Sequence, residues 1–318
     1  MNKIWTKYKI NCVAGDTTSE IRPSVIVSAG LNAHQRDSKE FNIVLFGERG
    51  AGKTTWINAF ANYMKYSSLE EAEANERLVL IPMSFKWSEE TYVQREITVG
   101  DRSQSASQPH LNTFCLRCDD VIIRLIDTPF MDDLRGEEFD KSNVDNALKY
   151  VSQFSELNCI CFLMKSNQTR LGIWYQCYFQ ELLSHLSEAF CNIIFCFTDS
   201  RGTFFRPGDT MSSLKRLVNQ LAIPLNLNNI YCVDNESIRY LYATKAGVSC
   251  RKYDKKLHEE SWTRSSNEME RMLQYVASLN PCKLVKSTST NERWAVRTVV
   301  AMSRITVERN HYIELKNM

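Results

Sequence analysis

A three-layer α/β fold built on a mostly parallel sheet is what this sequence of 318 residues predicts. Two observations lead there. Short, almost wholly apolar runs recur at 41–46, 113–118, 121–126, 158–164, 191–198 and 229–233. Between them lie segments with helical spacing of apolar residues, at about 54–66, 137–155, 172–189 and 211–221. Runs that are apolar throughout suit strands buried on both faces, and strand–helix alternation over roughly 200 residues covers both sides of a parallel sheet with helices. The pair 113–118 and 121–126, split by Asp119 and Asp120, reads as one antiparallel hairpin at the edge.

Taken in order, residues 1–38 form a mixed N-terminal extension, with Val25-Ile26-Val27 as a short strand behind Pro23 and a polar connection from Asn32 to Glu40. A main domain at 39–245 follows. Its first strand, Ile43-Val44-Leu45-Phe46, runs into Gly47-Glu48-Arg49-Gly50-Ala51-Gly52-Lys53-Thr54. That stretch fits G-x-x-x-x-G-K-[ST] at every fixed position, and Ile57, Phe60, Ala61 and Met64 behind it fall at helical spacing. Strand, glycine loop and helix in succession are what a phosphate-binding P-loop needs. The glycines let backbone N–H groups of Gly47 to Thr55 turn toward an anion, and the helix N-terminus adds partial positive charge. Lys53 is the side chain for the β- and γ-phosphates, and Thr54 the hydroxyl for Mg²⁺. The fold is thus expected to be a P-loop NTPase that binds a nucleoside triphosphate.

A P-loop enzyme also needs an acidic group at a neighbouring strand end to hold the Mg²⁺ shell. Asp127 closes the run Val121–Ile126 and is followed by Thr128-Pro129. From 246 to 318 a helical region is expected. Met269, Met272, Leu273 and Val276 fall at helical spacing before Pro281, and Trp294 to Arg304 is a second such stretch. Its apolar stripe has two readings: packing on the main domain, or an arm that pairs with another chain.

Composition narrows the function. The chain is 43% hydrophobic and 24% charged, as soluble globular proteins are, and a formal net charge of +2 offers no reason to propose nucleic acid as a partner. No run of 18 apolar residues is present for a bilayer span, and the first residues lack the apolar core of a signal peptide. Eleven cysteines without export point to free thiols in a cytoplasmic setting. Cys115-Leu116-Arg117-Cys118 is a lone C-x-x-C inside a strand, read as buried small hydrophobes and not as a metal site. The five histidines form no triad or ligand spacing.

Asp127-Thr128-Pro129 after GERGAGKTT resembles the switch II motif, usually D-T-P-G, of translation-factor-related P-loop GTPases. The stretches at 41–72, 157–171 (LNCICFLMKSNQTRL), 192–210 (NIIFCFTDSRGTFFRPGDT) and 231–241 (YCVDNESIRYL) are similar to the septin-like branch that holds the avirulence-induced, immunity-associated GTPases and their relatives. The resemblance reaches from about residue 20 to about 280. It implies GTP and GDP as ligands, Mg²⁺ as cofactor, and a homodimer or hetero-oligomer formed through the nucleotide face or the C-terminal helices. It also implies a switch I hydroxyl that completes the Mg²⁺ shell, for which Ser107 is the match and Ser105 the near competitor.

Two departures from the family pattern stand out. Phe130 occupies the place of the switch II glycine, and Met131 the place where many relatives carry a water-orienting glutamine. Nothing in D-T-P-F-M polarises water, so intrinsic hydrolysis is expected to be slow. Guanine is normally held by the Asp of [NT]-K-x-D, whose carboxylate accepts from the ring N1–H and the exocyclic amine. Here the strand 191–198 delivers Thr198-Asp199-Ser200-Arg201 instead. Asp199 can serve from a shifted position, and Asn235 with Glu236 match the place where relatives frame the base with asparagines. Both also read as loop and helix caps. The resemblance selects guanine, whereas spacing alone admits adenine. Arg135-Gly136 and Arg170 are further candidates for phosphate or subunit contacts. A slow GTPase switch or assembly module is the expected function; a nucleotide-binding scaffold that does not hydrolyse is the alternative, and a P-loop ATPase or small-molecule kinase the third.

Overall fold

The structure, a computed structural model, describes residues 11–13, 25–28, 39–89, 92–100, 111–118, 121–129, 143, 146–168, 192–248 and 250–283. All of them belong to one compact unit that ends at Lys283; residues 284–318 fall in a second unit outside the described residues. The expected helices at 172–189 and 294–304 also lie outside the described residues, as do 137–142, 144 and 145 of that at 137–155, whose residues 146–151 are helical.

The first half of the chain supplies β1 (Asn11–Val13), β2 (Val25–Ser28), β3 (Lys39–Gly47), α1 (Lys53–Lys65), α2 (Leu69–Ala74), β4 (Met83–Ser88), β5 (Gln94–Val99), β6 (Asn112–Cys118) and β7 (Val121–Asp127). Then come β8 (Glu156–Leu157), β9 (Cys159–Lys165), β10 (Ile193–Thr198), α3 (Thr210–Gln220), β11 (Ile230–Cys232), α4 (Glu236–Lys245), α5 (Lys252–Ser278) and β12 (Cys282–Lys283). Eight strands make one sheet in the order β1-β2-β6-β7-β3-β9-β10-β11. From β7 to β11 every neighbour is parallel, as the apolar runs predict. β6 and β7 form the expected antiparallel hairpin. Beyond it β2 adds in parallel to β6, and β1 turns back antiparallel on β2.

The middle strands are buried because both of their faces are apolar. Ile43, Leu45, Cys161, Leu163, Ile194 and Cys196 enter one core together with residues of α1, α4 and α5. Alternate positions point the other way, and there Phe46, Phe162 and Phe195 stack across three adjacent strands at 5.6 and 6.2 Å. The long α5 lies against α4, α1 and β11. Met269, Met272, Leu273 and Val276 are all buried, and the fully buried Trp262 meets Tyr63 of α1 edge-on at 4.8 Å. Each such side chain contributes about 1.5–3 kcal/mol over an exposed one, so this part of the C-terminal stripe packs on the sheet unit.

The β4–β5 hairpin is an element that the sequence reading passed over. Its strands pair from Met83↔Val99 to Ser88↔Gln94 apart from the main sheet, and Ile97 and Val99 are buried. It is tied to the helices by Arg239 donating to the Lys86 carbonyl and Arg95 donating to that of Ala246. The hairpin also presents Trp87 to His258 of α5.

Candidate nucleotide-binding site

Register brings the site together. Leu45 pairs with Asp127 across β3 and β7, and Gly47 pairs with Leu163 across β3 and β9. The loop after β3 and the acid that closes β7 therefore leave the sheet at the same edge. Gly50 and Gly52 have φ of 80° and 82°, the left-handed region that a side chain enters only at a cost of about 1–2 kcal/mol. This lets the chain fold back, with the Ala51 N–H on the Glu48 carbonyl at 3.0 Å, and enter α1 at Lys53. Gly52 is the N-cap and offers no side-chain oxygen, so the first-turn amides of α1 receive no side-chain cap. Thr54 and Thr55 are half-buried in that turn, Arg49 is exposed, and Ala51 is buried.

Lys53 is 2% exposed, and its Nζ lies 2.8 Å from Asp127 Oδ1 while also donating to the Thr128 carbonyl. Burial pushes the Asp127 carboxyl above its usual range, and the Lys53 ammonium pulls it back. Thr128 is held by its hydroxyl on the Leu45 carbonyl at 2.7 Å. The loop lysine and the strand-end acid thus meet at this edge, beside the first turn of α1 that carries Thr54. Ser105, Ser107, Phe130, Met131, Arg135, Gly136 and Arg170 lie outside the described residues.

At the other end, Thr198 is buried, and its hydroxyl donates to the Ala51 carbonyl at 2.8 Å, with the Met164 carbonyl at 3.2 Å. A Cβ on Gly52 would sit 3.6 Å from that hydroxyl oxygen. Thr198 therefore braces the glycine loop from below. Asp199 follows in the left-handed region with φ of 52°, exposed, its carboxylate 3.4 Å from Lys165 Nζ of β9. Arg201 turns to Asp234 at the end of β11, Nε to Oδ2 at 2.8 Å, and a terminal nitrogen stands 3.1 Å from His258 Nδ1. Asp234 is 1% exposed and also receives the Ser261 hydroxyl at 2.5 Å. His258 stacks on Tyr240 at 4.5 Å; burial first, and the Arg201 charge second, lower its pKa to about 4. Asn235 is 6% exposed, with Oδ1 3.4 Å from the Tyr63 hydroxyl and Nδ2 without a partner among the described residues. Glu236 pairs with Arg239 at 2.7 Å.

Sequence reasoning named Arg201 as a departure and missed its partners. Asp234, His258 and Ser261 carry no motif, and their only signal was a lone Arg in place of an acid, which has to be neutralised somewhere. Lys165 carries no motif either.

With a P-loop on the central strand of a mostly parallel sheet and an acid on its neighbour, the chain has the α/β P-loop NTPase fold. No family model matches the chain, and no curated protein matches it in sequence. Similar solved structures include Toc33 from Arabidopsis thaliana in complex with GDP and Mg²⁺, with 12% identity and a TM-score of 0.44 over 79% of this chain and 90% of that one. The G domain of the FeoB iron transporter from T. maritima has 14% identity and a TM-score of 0.31, over 65% of this chain and 99% of that one. LeoA, a bacterial dynamin GTPase from ETEC, has 16% identity and a TM-score of 0.36, over 87% and 42%. No described helix is long and apolar enough to cross a membrane.

Proposed function

We propose that this protein binds GTP and GDP and acts as a slow GTPase of the septin-like kind, a nucleotide-dependent switch or assembly module in the cytoplasm. The observation that carries the reading is the corner formed by Gly50, Gly52 and Lys53 with Asp127. Amides free of side-chain caps, a buried ammonium and a helix N-terminus face one point, which suits a chain of phosphates. Thr54 and Asp127 are hard oxygen donors at that point and suit Mg²⁺, with Ser107 proposed as the third. When bound, the ion neutralises charge on the β- and γ-phosphates.

The chain's own residues would do the rest. Lys53 exchanges the Asp127 carboxylate for phosphate oxygens, and the loop amides from Glu48 to Thr55 stabilise charge that develops as water attacks the γ-phosphate in line. Thr198 keeps the loop in shape; Asn235 faces the base, and Asp199 with Lys165 forms the rim. No side chain in D-T-P-F-M orients the water, which makes turnover slow unless a second copy or a partner subunit completes the site across the nucleotide face. Nucleotide would order switch I and switch II together, and release would relax them.

A second reading, a scaffold that keeps nucleotide as a structural element, draws on Phe130 and Met131. Single-turnover assays with radiolabelled GTP and ATP in Mg²⁺, beside Lys53→Ala, separate the two. GTP cleavage that the variant loses supports the switch. GTP held tightly and uncleaved selects the scaffold, and preference for ATP removes guanine from the proposal.

A further inference from the structure

The turn of the β4–β5 hairpin and the start of α5 frame a cavity of about 330 Å³, whose lining includes Trp87, Glu89, Tyr92, Arg251 and Asp254. None of the residues assigned to nucleotide lines it. The volume is at the lower end of what ligand pockets occupy, and it has room for one long side chain.

The surface around this cavity is unusually apolar. Among the described residues five large apolar side chains are exposed, and three of them, Tyr92, Val93 and Tyr253, line the cavity or are chain neighbours of residues that do. Single exposed apolar residues are ordinary, whereas a group of them beside a concavity marks an interaction surface. Tyr92 adds a second sign. It is 91% exposed with φ of 61°, a left-handed conformation that glycine would adopt with less strain. The turn holds it there through the Tyr92 N–H on the Glu89 carbonyl and the Glu89 N–H on the Val93 carbonyl, both at 2.9 Å. Strain kept without burial in return is expected where the exposed ring is used.

The lining chemistry selects the occupant. Trp87 is half-buried and fixed against Tyr240 and His258, at 6.3 and 6.0 Å between ring centres. With Tyr92 it supplies two aromatic rings. Glu89 and Asp254, both half-buried, set two carboxylates against the one guanidinium of Arg251, an excess of one negative charge. Rings and carboxylates together favour a cation, through the ring quadrupole and through charge-assisted hydrogen bonds. Of the cationic side chains, the guanidinium is planar, stacks on rings, meets a carboxylate with two N–H groups at once and is the more weakly hydrated.

We propose that this cavity is a docking site for a partner protein, which seats one arginine beside Trp87 and Tyr92, paired with Glu89 or Asp254. Apolar residues next to that arginine rest on Val93 and Tyr253. The site goes beyond the nucleotide reading and stands without it.

The test is fluorescence anisotropy of short dye-labelled peptides on the full chain, with leucines flanking a central arginine, lysine or citrulline. Citrulline keeps the planar shape and lacks the charge. The arginine peptide is expected to bind at least about tenfold more tightly than the citrulline peptide, the share that one anchor residue commands, with lysine between them. The double variant Glu89→Gln with Asp254→Asn should bring arginine to within about threefold of citrulline. Tyr92→Gly should weaken arginine-peptide binding at least about fivefold while Tm holds or rises by about 1–2 °C, since glycine relieves the turn. Equal binding of the three peptides overturns the proposal, as does an arginine peptide weaker than about 1 mM. Arginine-selective binding that survives both variants places the site elsewhere and overturns it too. Arginine amide that binds as tightly as the peptide would make a small free cation the occupant, against a docking role.

Discussion

The proposed phosphate end and the proposed base end of this site lie on the same sheet edge and are made by different means. The phosphate end is local: five residues separate Gly47 from Lys53, and backbone conformation does the work. The base end is assembled from β10, β11 and α5, with Arg201 and His258 57 positions apart. Backbone anion sites are written in glycine spacing, which leaves little freedom. Side-chain sites depend on what the rest of the fold brings near, and so they drift. In this chain the local half fits its pattern at every fixed position, and the long-range half has Arg201 where the pattern has an acid, paired with Asp234.

The strongest way to break the comparison is at Lys53. Lys53→Ala should lower affinity for GTP at least about 100-fold, since it removes the charge nearest the phosphates. It also leaves Asp127 buried without its partner, which should cost about 3 kcal/mol of stability. Equilibrium titration with a fluorescent nucleotide reads the first effect and urea unfolding the second; unchanged affinity would place the phosphates elsewhere.

Next comes Asp234→Ala. The change strips Arg201 Nε and the Ser261 hydroxyl of a buried acceptor, and a loss of about 2–4 kcal/mol is expected in the same unfolding experiment. Phosphate-end affinity, measured with inorganic triphosphate, should change far less. If both ends weakened equally, they would not be separable units.

pH separates the ends in another way. His258 stays neutral in the fold down to about pH 4, whereas the unfolded chain protonates it near 6.5. The unfolded state therefore binds the extra proton first, and stability falls as pH drops from about 6.5 to 4, by up to about 3 kcal/mol. In His258→Gln that part of the slope should vanish, which a series of melts across this range would show. A slope that survives the substitution would assign the effect to other groups.

The smallest effect is expected at the seam. Thr198→Val keeps the volume and removes the hydroxyl that joins β10 to the Ala51 carbonyl, for a loss of about 1 kcal/mol and a fall of a few degrees in Tm. Nucleotide affinity should weaken less than in Lys53→Ala; a larger effect would make Thr198 a ligand contact in its own right.

Much of the fold was legible before any coordinates. Val44, Phe46, Ile160 and Phe195 announced strands buried on both faces because polar residues are confined to the ends of those runs. Pro281 and the Met269–Val276 stripe announced α5. The β4–β5 hairpin escaped because Ser84, Lys86 and Ser88 dilute its apolar residues to one face, a pattern too short to stand out beside the continuous runs. Lys53 and Asp127, singled out by their motifs, do meet in the fold. Asp234, His258 and Ser261 were not legible, since each sits in an ordinary helical or loop context and gains its role only from Arg201.

By itself, then, the sequence determined the glycine loop and the parallel sheet beneath it, because both follow from local backbone preference and from the period of apolar residues. Tertiary structure alone decided what Arg201 pairs with. Where Arg201 turns depends on a carboxylate 33 residues later and a helix beyond that, and no local rule encodes a charge pair formed at such separation.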